Sequence, residues 1–162
     1  MKRAIVLSAC AVALAAAGPH HRSPDAIAFE VSSWGKPLIS WRVAADGRGT
    51  YTKSEGGRDF QHYRLVTRRF AAGRTAFAKL DAALTWAAGN ADREVPCGSR
   101  ISDFPYGTVT WTIGHETRRV RFDTGCQSAE AKRVEAAVSA ADALVAKWSV
   151  AGPIVETREV AP

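Results

Sequence analysis

Apolar residues recur at two different periods along this chain, and the order of those periods limits the folds that it can adopt. Alternation, or enrichment in aromatic and β-branched residues, is typical of strands, whereas spacings of three and four are typical of amphipathic helices. The pattern predicts strands over residues 26–33, 38–44, 49–53, 60–70, 108–113 and 117–123, and helices over 75–88 and 128–148. This order, ββββ-α-ββ-α, predicts an α+β fold: a largely antiparallel sheet of about six strands with two helices packed on one face.

Turn and loop residues mark the connections between these elements. Asp46-Gly47 predicts a tight hairpin with a type I′ turn, in which both central residues have positive φ. Residues 89–107 are rich in glycine and proline and predict a long irregular connection. A single domain is expected over residues 26–150, followed by an extended tail over 151–162. Within that tail, residues 154–160 either add an edge strand or stay loose.

The N-terminus has the composition of a secretory signal peptide. Met-Lys-Arg precedes an apolar run over residues 4–17, and the small residues Ala15 and Ala17 suit signal peptidase. We expect cleavage after Ala17 and a short polar tether over residues 18–25. Since no apolar run reaches 18 residues, no transmembrane span is expected in the mature chain. These features predict a periplasmic or secreted bacterial protein.

Two other fates of this segment stay open, namely lipidation and an uncleaved anchor. Leu7-Ser8-Ala9-Cys10 has the local look of a lipobox, in which Cys10 becomes lipidated and anchors the chain to the envelope. Only six residues separate Arg3 from Cys10, which is short for an apolar region, and the apolar run continues past the cysteine. Ordinary cleavage is therefore the preferred interpretation.

Cleavage changes the charge and the cysteine count. Loss of Lys2 and Arg3 lowers the formal net charge from +6 to +4, and an exported protein with this charge is not expected to bind nucleic acid. Cys97 and Cys126 remain as an even pair, which predicts a disulfide in an oxidising compartment. The alternative is a reactive thiolate at one of them, paired with His62 or His115.

Candidate catalytic and metal-binding residues do not form a recognised motif. The four histidines, His20, His21, His62 and His115, lack the spacing of a zinc or copper site, so neither a metal nor a cofactor is predicted. Ser99 and Asp103 lie in the 89–107 segment, and together with His115 they would form the active site of a small periplasmic hydrolase. This activity is the alternative to a non-catalytic protein.

The most distinctive surface residues are arginines on two predicted strands. Arg64 and Arg68 share one face of the fourth strand, and Arg119 and Arg121 share one face of the sixth. If these strands are neighbours, they form an Arg-rich outer face that suits an anionic envelope component or an acidic protein. Of the five tryptophans, Trp34 is expected to be partly exposed, where it can stack on a sugar ring.

The whole-chain plan resembles small uncharacterised exported α+β proteins of the bacterial envelope. The likeness is carried by Asp46-Gly47 before Tyr51, by Phe77 and Leu80, and by the pair Cys97 and Gly125-Cys126. It implies export and an α+β architecture, and it transfers no catalytic residue. The sequence therefore predicts a non-catalytic binding or interaction module of the cell envelope that uses an Arg-rich sheet face.

Overall fold

The computed structural model describes residues 23–56 and 62–160, and all of its strands belong to one antiparallel sheet. The strands are β1 Ala26–Ser33, β2 Lys36–Ala44, β3 Arg48–Glu55, β4 Tyr63–Ala71, β5 Tyr106–Ile113, β6 Glu116–Asp123 and β7 Ile154–Val160. They lie side by side in the order β6-β5-β1-β2-β3-β4-β7. The predicted α+β class and antiparallel sheet are confirmed. The signal peptide, His20, His21, Cys10 and residues 60–61 of the predicted fourth strand lie outside the described residues.

Strand β1 lies between β2 and β5 and supplies the centre of the core. Ile27 and Phe29 are buried and point towards the helices. Their cross-strand neighbours are Val43 and Trp41 on β2, and Trp111 and Val109 on β5. The Phe29 ring stacks on the Trp41 ring at 5.2 Å and on the Phe122 ring at 5.7 Å between centroids. On β1, β5 and β6, burial of the apolar half of the alternation leaves the polar half on the opposite side of the sheet.

The predicted helix over residues 75–88 is wrong in one respect, because the structure contains two helices there. These are α1 Arg74–Ala83 and α2 Thr85–Gly89, separated at Leu84 with φ −95° and ψ 1°. The Thr85 hydroxyl donates to the Asp81 carbonyl at 3.3 Å, a bond that often accompanies a bend in a helix. Leu84 is fully buried at the break, so the apolar stripe continues through it.

The last helix, α3 Ala129–Ser149, agrees closely with the prediction. Ser128 caps it by accepting a hydrogen bond from the Ala131 N–H at 3.0 Å. Its apolar stripe, with Val134, Val138 and Val145, is buried against the sheet. All three helices contribute to the same core, so they cover one face of the sheet. Within the described ranges, no helix combines the length and the apolar character needed to cross a membrane.

The C-terminal tail adopts one of its two expected states, whereas the Asp46-Gly47 turn differs from expectation. The segment 154–160 is a seventh strand, since β7 pairs with β4 along most of its length although its side chains are almost all exposed. The Asp46-Gly47 hairpin is present, but Gly47 has a positive φ of 82° and Asp46 does not. The Gly47 N–H donates to the Ala44 carbonyl, which makes a three-residue loop with glycine in the left-handed position.

Candidate functional site

The face of the sheet away from the helices, called the open face, carries two adjacent rows of side chains that are polar except at Ala28. The strand register places one row across five strands, in the order Arg121, Thr108, Glu30, Ser40 and Thr52. The second row runs in the same direction through Arg119, Thr110, Ala28, Arg42 and Thr50. Both rows line a groove of about 500 Å³. The groove therefore spans roughly 19 Å, since neighbouring strands lie about 4.8 Å apart.

Charge in this groove is unbalanced. Three arginines, Arg42, Arg119 and Arg121, face it together with one carboxylate, Glu30. All four side chains belong to exposed residues, and no ion pair holds Arg42 or Arg121 within the described residues. A guanidinium group presents several N–H donors in a plane, which matches the geometry of carboxylate, phosphate or sulfate oxygens. The groove can accordingly bind anionic groups, with threonine hydroxyls as further hydrogen-bonding partners.

A second cavity of about 690 Å³ lies between the 92–100 segment and the outer strand β6. Its floor is apolar and includes Phe122, Val134 and the disulfide. Arg119 and Arg121 border this cavity as well as the groove, so the two concave regions meet at β6. A ligand bound to Arg119 and Arg121 could therefore be approached from the groove or from the second cavity.

Asp92 attaches the irregular segment to β6. Its backbone N–H donates to the Arg119 carbonyl, and its carboxylate accepts from the Arg119 N–H at 2.9 Å and from Arg118 Nε at 3.2 Å. The backbone hydrogen bond from Arg119 is the main reason that the pKa of Asp92 lies below its ordinary value, with Arg118 adding to it. The irregular segment therefore partly covers the outer edge of β6, close to the Arg119 and Arg121 side chains.

The predicted disulfide between Cys97 and Cys126 is confirmed. It joins the 89–107 segment to the turn before α3, and backbone bonds support it: the Gln127 N–H donates to the Cys97 carbonyl and the Ile101 N–H donates to the Gly125 carbonyl. Because both sulfurs are bonded to each other, a thiolate paired with His62 or His115 is excluded for this form of the protein. The segment is irregular in conformation but attached at several points.

The expected single face with four arginines is wrong. Strands β4 and β6 are separated by β5, β1, β2 and β3, so they are not neighbours. Arg68 pairs across strands with Tyr51, whose buried ring lies on the helix side, and Arg64 is on that same side. The Arg68 Nη1 atom donates to the Gly152 carbonyl at 2.9 Å, which attaches the turn after α3 to β4. Of the four predicted residues, only Arg119 and Arg121 reach the open face.

The residues of the alternative hydrolase are not brought together. His115 lies in the turn between β5 and β6, whereas Ser99 and Asp103 lie near the opposite end of that hairpin. The eight residues of β5 extend roughly 25 Å at about 3.3 Å per residue, which is far beyond the reach of a proton transfer. Across the described part of the chain, no three His, Cys, Asp or Glu residues could hold a metal ion.

The chain has no match among protein-family models, and a search of curated proteins finds no similar one. The resemblance to small exported envelope proteins stays a prediction.

Sequence reasoning overlooked most of the open face, although the signal was present. The polar half of the alternation is repeated threonine, in Thr50-Tyr51-Thr52 on β3 and in Thr108-Val109-Thr110 on β5. The predicted strands rest on the apolar half of this alternation, and no role was assigned to the threonines. Arg42, which lies between Ala28 and Thr50 in the second row, was missed for the same reason.

Proposed function

We propose that this protein is an exported, non-catalytic binding module of the bacterial envelope, and that the groove of its open face holds an anionic ligand. One observation carries the proposal: Arg42, Arg119 and Arg121 converge on a groove that contains a single carboxylate, Glu30. Arginines that only maintain solubility have no need to converge on one concave surface. Charge complementarity therefore favours a ligand with carboxylate, phosphate or sulfate groups.

The shape of the groove favours an extended ligand. Its lining comes from five adjacent strands, and both rows carry charged and hydroxyl side chains along their length, with Ala28 the one apolar position. A chain lying across these strands would meet Arg121 at one end of the row and Thr52 at the other, with Glu30 between them. We infer that the ligand is a polymer or oligomer with repeated polar groups.

Export is supported by two independent features. The N-terminal sequence has the pattern of a signal peptide, and the Cys97–Cys126 disulfide is of the kind that persists in an oxidising compartment. Periplasmic or secreted localisation follows as part of the proposal.

Affinity electrophoresis in gels that contain oligogalacturonate or poly-L-glutamate tests the binding proposal, since both polymers carry repeated carboxylates. We expect the wild-type protein to be retarded by both at low salt and released at about 1 M salt, where screening is strong. Arg119→Ala/Arg121→Ala should weaken binding at least about tenfold, because each substitution removes charge-assisted hydrogen bonds. Arg42→Ala should also weaken it, and this residue lines the groove but not the second cavity.

The matched control removes two positive charges from the helix side, as Lys79→Ala/Lys147→Ala. Both lysines are exposed on helices, so this variant has the same net charge as the double arginine variant. We expect it to bind nearly as well as the wild type. Equal losses in both double variants, or no retardation of the wild type at low salt, would refute the proposal.

A further inference from the structure

Exposed aromatic side chains gather at one end of the sheet, beside the open face. Trp34, Phe104 and Tyr106 are 67%, 46% and 46% exposed, and together with Ile101 they line a cleft of about 290 Å³. Exposed large apolar groups that converge in a concavity are uncommon unless they contact a partner. The cleft also contains the carboxylates of Asp103 and Asp123 and the guanidinium of Arg100, which pairs with Asp123 at 3.2 Å.

The backbone holds Trp34 in an unusual conformation at the tip of the β1–β2 hairpin. Trp34 has φ 53° and Gly35 has φ 77°, which are the two positive angles of a type I′ turn. Asparagine or aspartate before glycine is the favoured choice in this turn, and a bulky residue there is a conformational outlier. A tryptophan kept at such a position, with its indole directed to solvent, points to a role in contact rather than in folding.

The cleft lies next to the groove along β5 and β6. Tyr106 lies two residues before Thr108 on β5, and Asp123 lies two residues after Arg121 on β6, so all four belong to the same face. Two residues of a strand span roughly 7 Å. A ligand that lies in the groove against Arg121 therefore reaches the aromatic cleft within about the length of one sugar unit.

We propose that this cleft is a stacking subsite for a sugar ring, and that the ligand of the open face is an acidic saccharide. The inference rests on the proposed anion-binding function and specifies its ligand class. A pyranose ring has an apolar C–H face that packs on an aromatic ring, whose π face is negative, and a rim of hydroxyls. Asp103 and Asp123 can accept hydrogen bonds from those hydroxyls, while Arg121 binds the acidic group.

Other ligands fit the same residues less well. An anionic bilayer or the phosphates of a nucleic acid would meet the Asp103 carboxylate in the cleft, and like charges repel, while Arg100 is already paired with Asp123. A carboxylate-bearing peptide would satisfy the arginines but offers no flat C–H face for Trp34. The combination of arginines, hydroxyls, carboxylates and aromatic rings matches an acidic saccharide best.

The test compares binding of oligogalacturonate and poly-L-glutamate to the purified protein, expressed with its full sequence in a host that exports it. We expect the wild type to bind oligogalacturonate about tenfold or more tightly than poly-L-glutamate of equal charge, with a change in tryptophan fluorescence. Trp34→Asn should abolish this preference and leave binding to poly-L-glutamate unchanged. Asparagine suits the turn conformation, so the thermal midpoint should not fall, and Tyr106→Ala gives a second variant. Val150→Ala, at an exposed valine elsewhere, is the matched control.

Two negative outcomes are distinguishable. Equal binding of the two polymers, or a preference that survives in Trp34→Asn and Tyr106→Ala, would overturn the sugar subsite and leave the anion-binding function intact. Absence of binding to either polymer would overturn both proposals. Trp34-dependent binding to phosphatidylglycerol vesicles or to an oligothymidylate, without binding to oligogalacturonate, would also contradict the sugar assignment.

Discussion

A hydrogen-bonded carboxylate joins the helix layer to the sheet. Asp142 on α3 accepts a hydrogen bond from Trp41 Nε1 at 3.0 Å and one from the Tyr51 hydroxyl. Burial raises the pKa of Asp142 above its ordinary value, and these hydrogen bonds and Lys53 offset only part of that effect. Burial, and then the neighbouring Asp142 carboxylate, raise the pKa of Tyr51 to about 12. Both groups thus hold their protons more tightly in the folded protein than in the unfolded chain.

Stability should depend on pH through Asp142. A raised folded-state pKa means that the folded protein binds the proton more tightly than the unfolded chain does. The stabilisation is therefore present below the ordinary value of 3.8 and is lost as pH rises through the folded-state pKa. Asp142→Asn keeps an oxygen acceptor and cannot ionise. We expect the free energy of unfolding of the wild type, minus that of Asp142→Asn, to decrease from about pH 3 to about pH 7, measured by urea titration.

The control for this titration is Glu116→Gln, the same chemical change at an exposed hairpin residue. The free energy of unfolding of the wild type, minus that of Glu116→Gln, should stay nearly constant over the same pH range. If the difference in unfolding free energy for Asp142→Asn is also constant, the raised pKa of Asp142 is contradicted.

At the scale of elements, the irregular segment before β5 acts as part of the scaffold. The disulfide and the bridge between Arg100 and Cys126 fix it at one end. At the other end, the Asp92 carboxylate accepts a hydrogen bond from the Arg119 N–H on β6. The Arg100 side chain also pairs with Asp123 at 3.2 Å. These attachments position the wall of the aromatic cleft and the border of the second cavity. A loop that bears a binding site is more effective when it is ordered before the ligand arrives.

Removal of the disulfide should loosen this segment more than the sheet. For a bridge that closes about 30 residues, Cys97→Ser/Cys126→Ser should lower the free energy of unfolding by about 2–4 kcal/mol. We also expect faster amide hydrogen exchange over residues 93–104 than in β1 and β2, measured by mass spectrometry. Reduction of the wild-type protein should reproduce both effects. Unchanged stability and unchanged exchange in the variant would show that the hydrogen bonds alone hold the segment.

At the scale of the whole molecule, the sheet has one covered face and one open face. The helices and the apolar half of the strands build the core, and the binding surface uses the polar half of the same strands. Ligand contacts can therefore vary without direct change to the core. This separation explains how a small domain can hold a charged, exposed site on a regular sheet, where the strands fix the positions of the side chains.

Processing of the N-terminus can be tested on the intact protein. We expect the mature chain to begin at Gly18, because Ala15 and Ala17 suit signal peptidase. Intact-mass measurement of the exported protein should show the loss of 17 residues. Incorporation of a fatty-acid analogue that disappears in Cys10→Ala would instead establish the lipoprotein alternative.

Local patterns predicted much of the fold and little of the site. The period of two in β1 and the capping serine of α3 are local signals, and both elements occur where they were expected. No sequence signal marks the break between α1 and α2 at Leu84, since the buried positions keep helical spacing on both sides of it. Strand β7 was undecided because an exposed edge strand has no apolar half to reveal it. Trp34 was expected to be exposed, and it is, but nothing nearby in sequence linked it to Phe104.

The sequence by itself determined which side chains share a strand face, where α3 begins, and which cysteines pair, because each depends on short-range periodicity or on simple counting. Only the tertiary structure decided which strands are neighbours. It placed β5 beside β1, separated Arg64 from Arg121, and brought Arg42 into the same groove as Arg121. Alternation specifies which way a side chain points but not which strand lies next to it. That choice depends on long-range pairing and on how the helices cover the sheet.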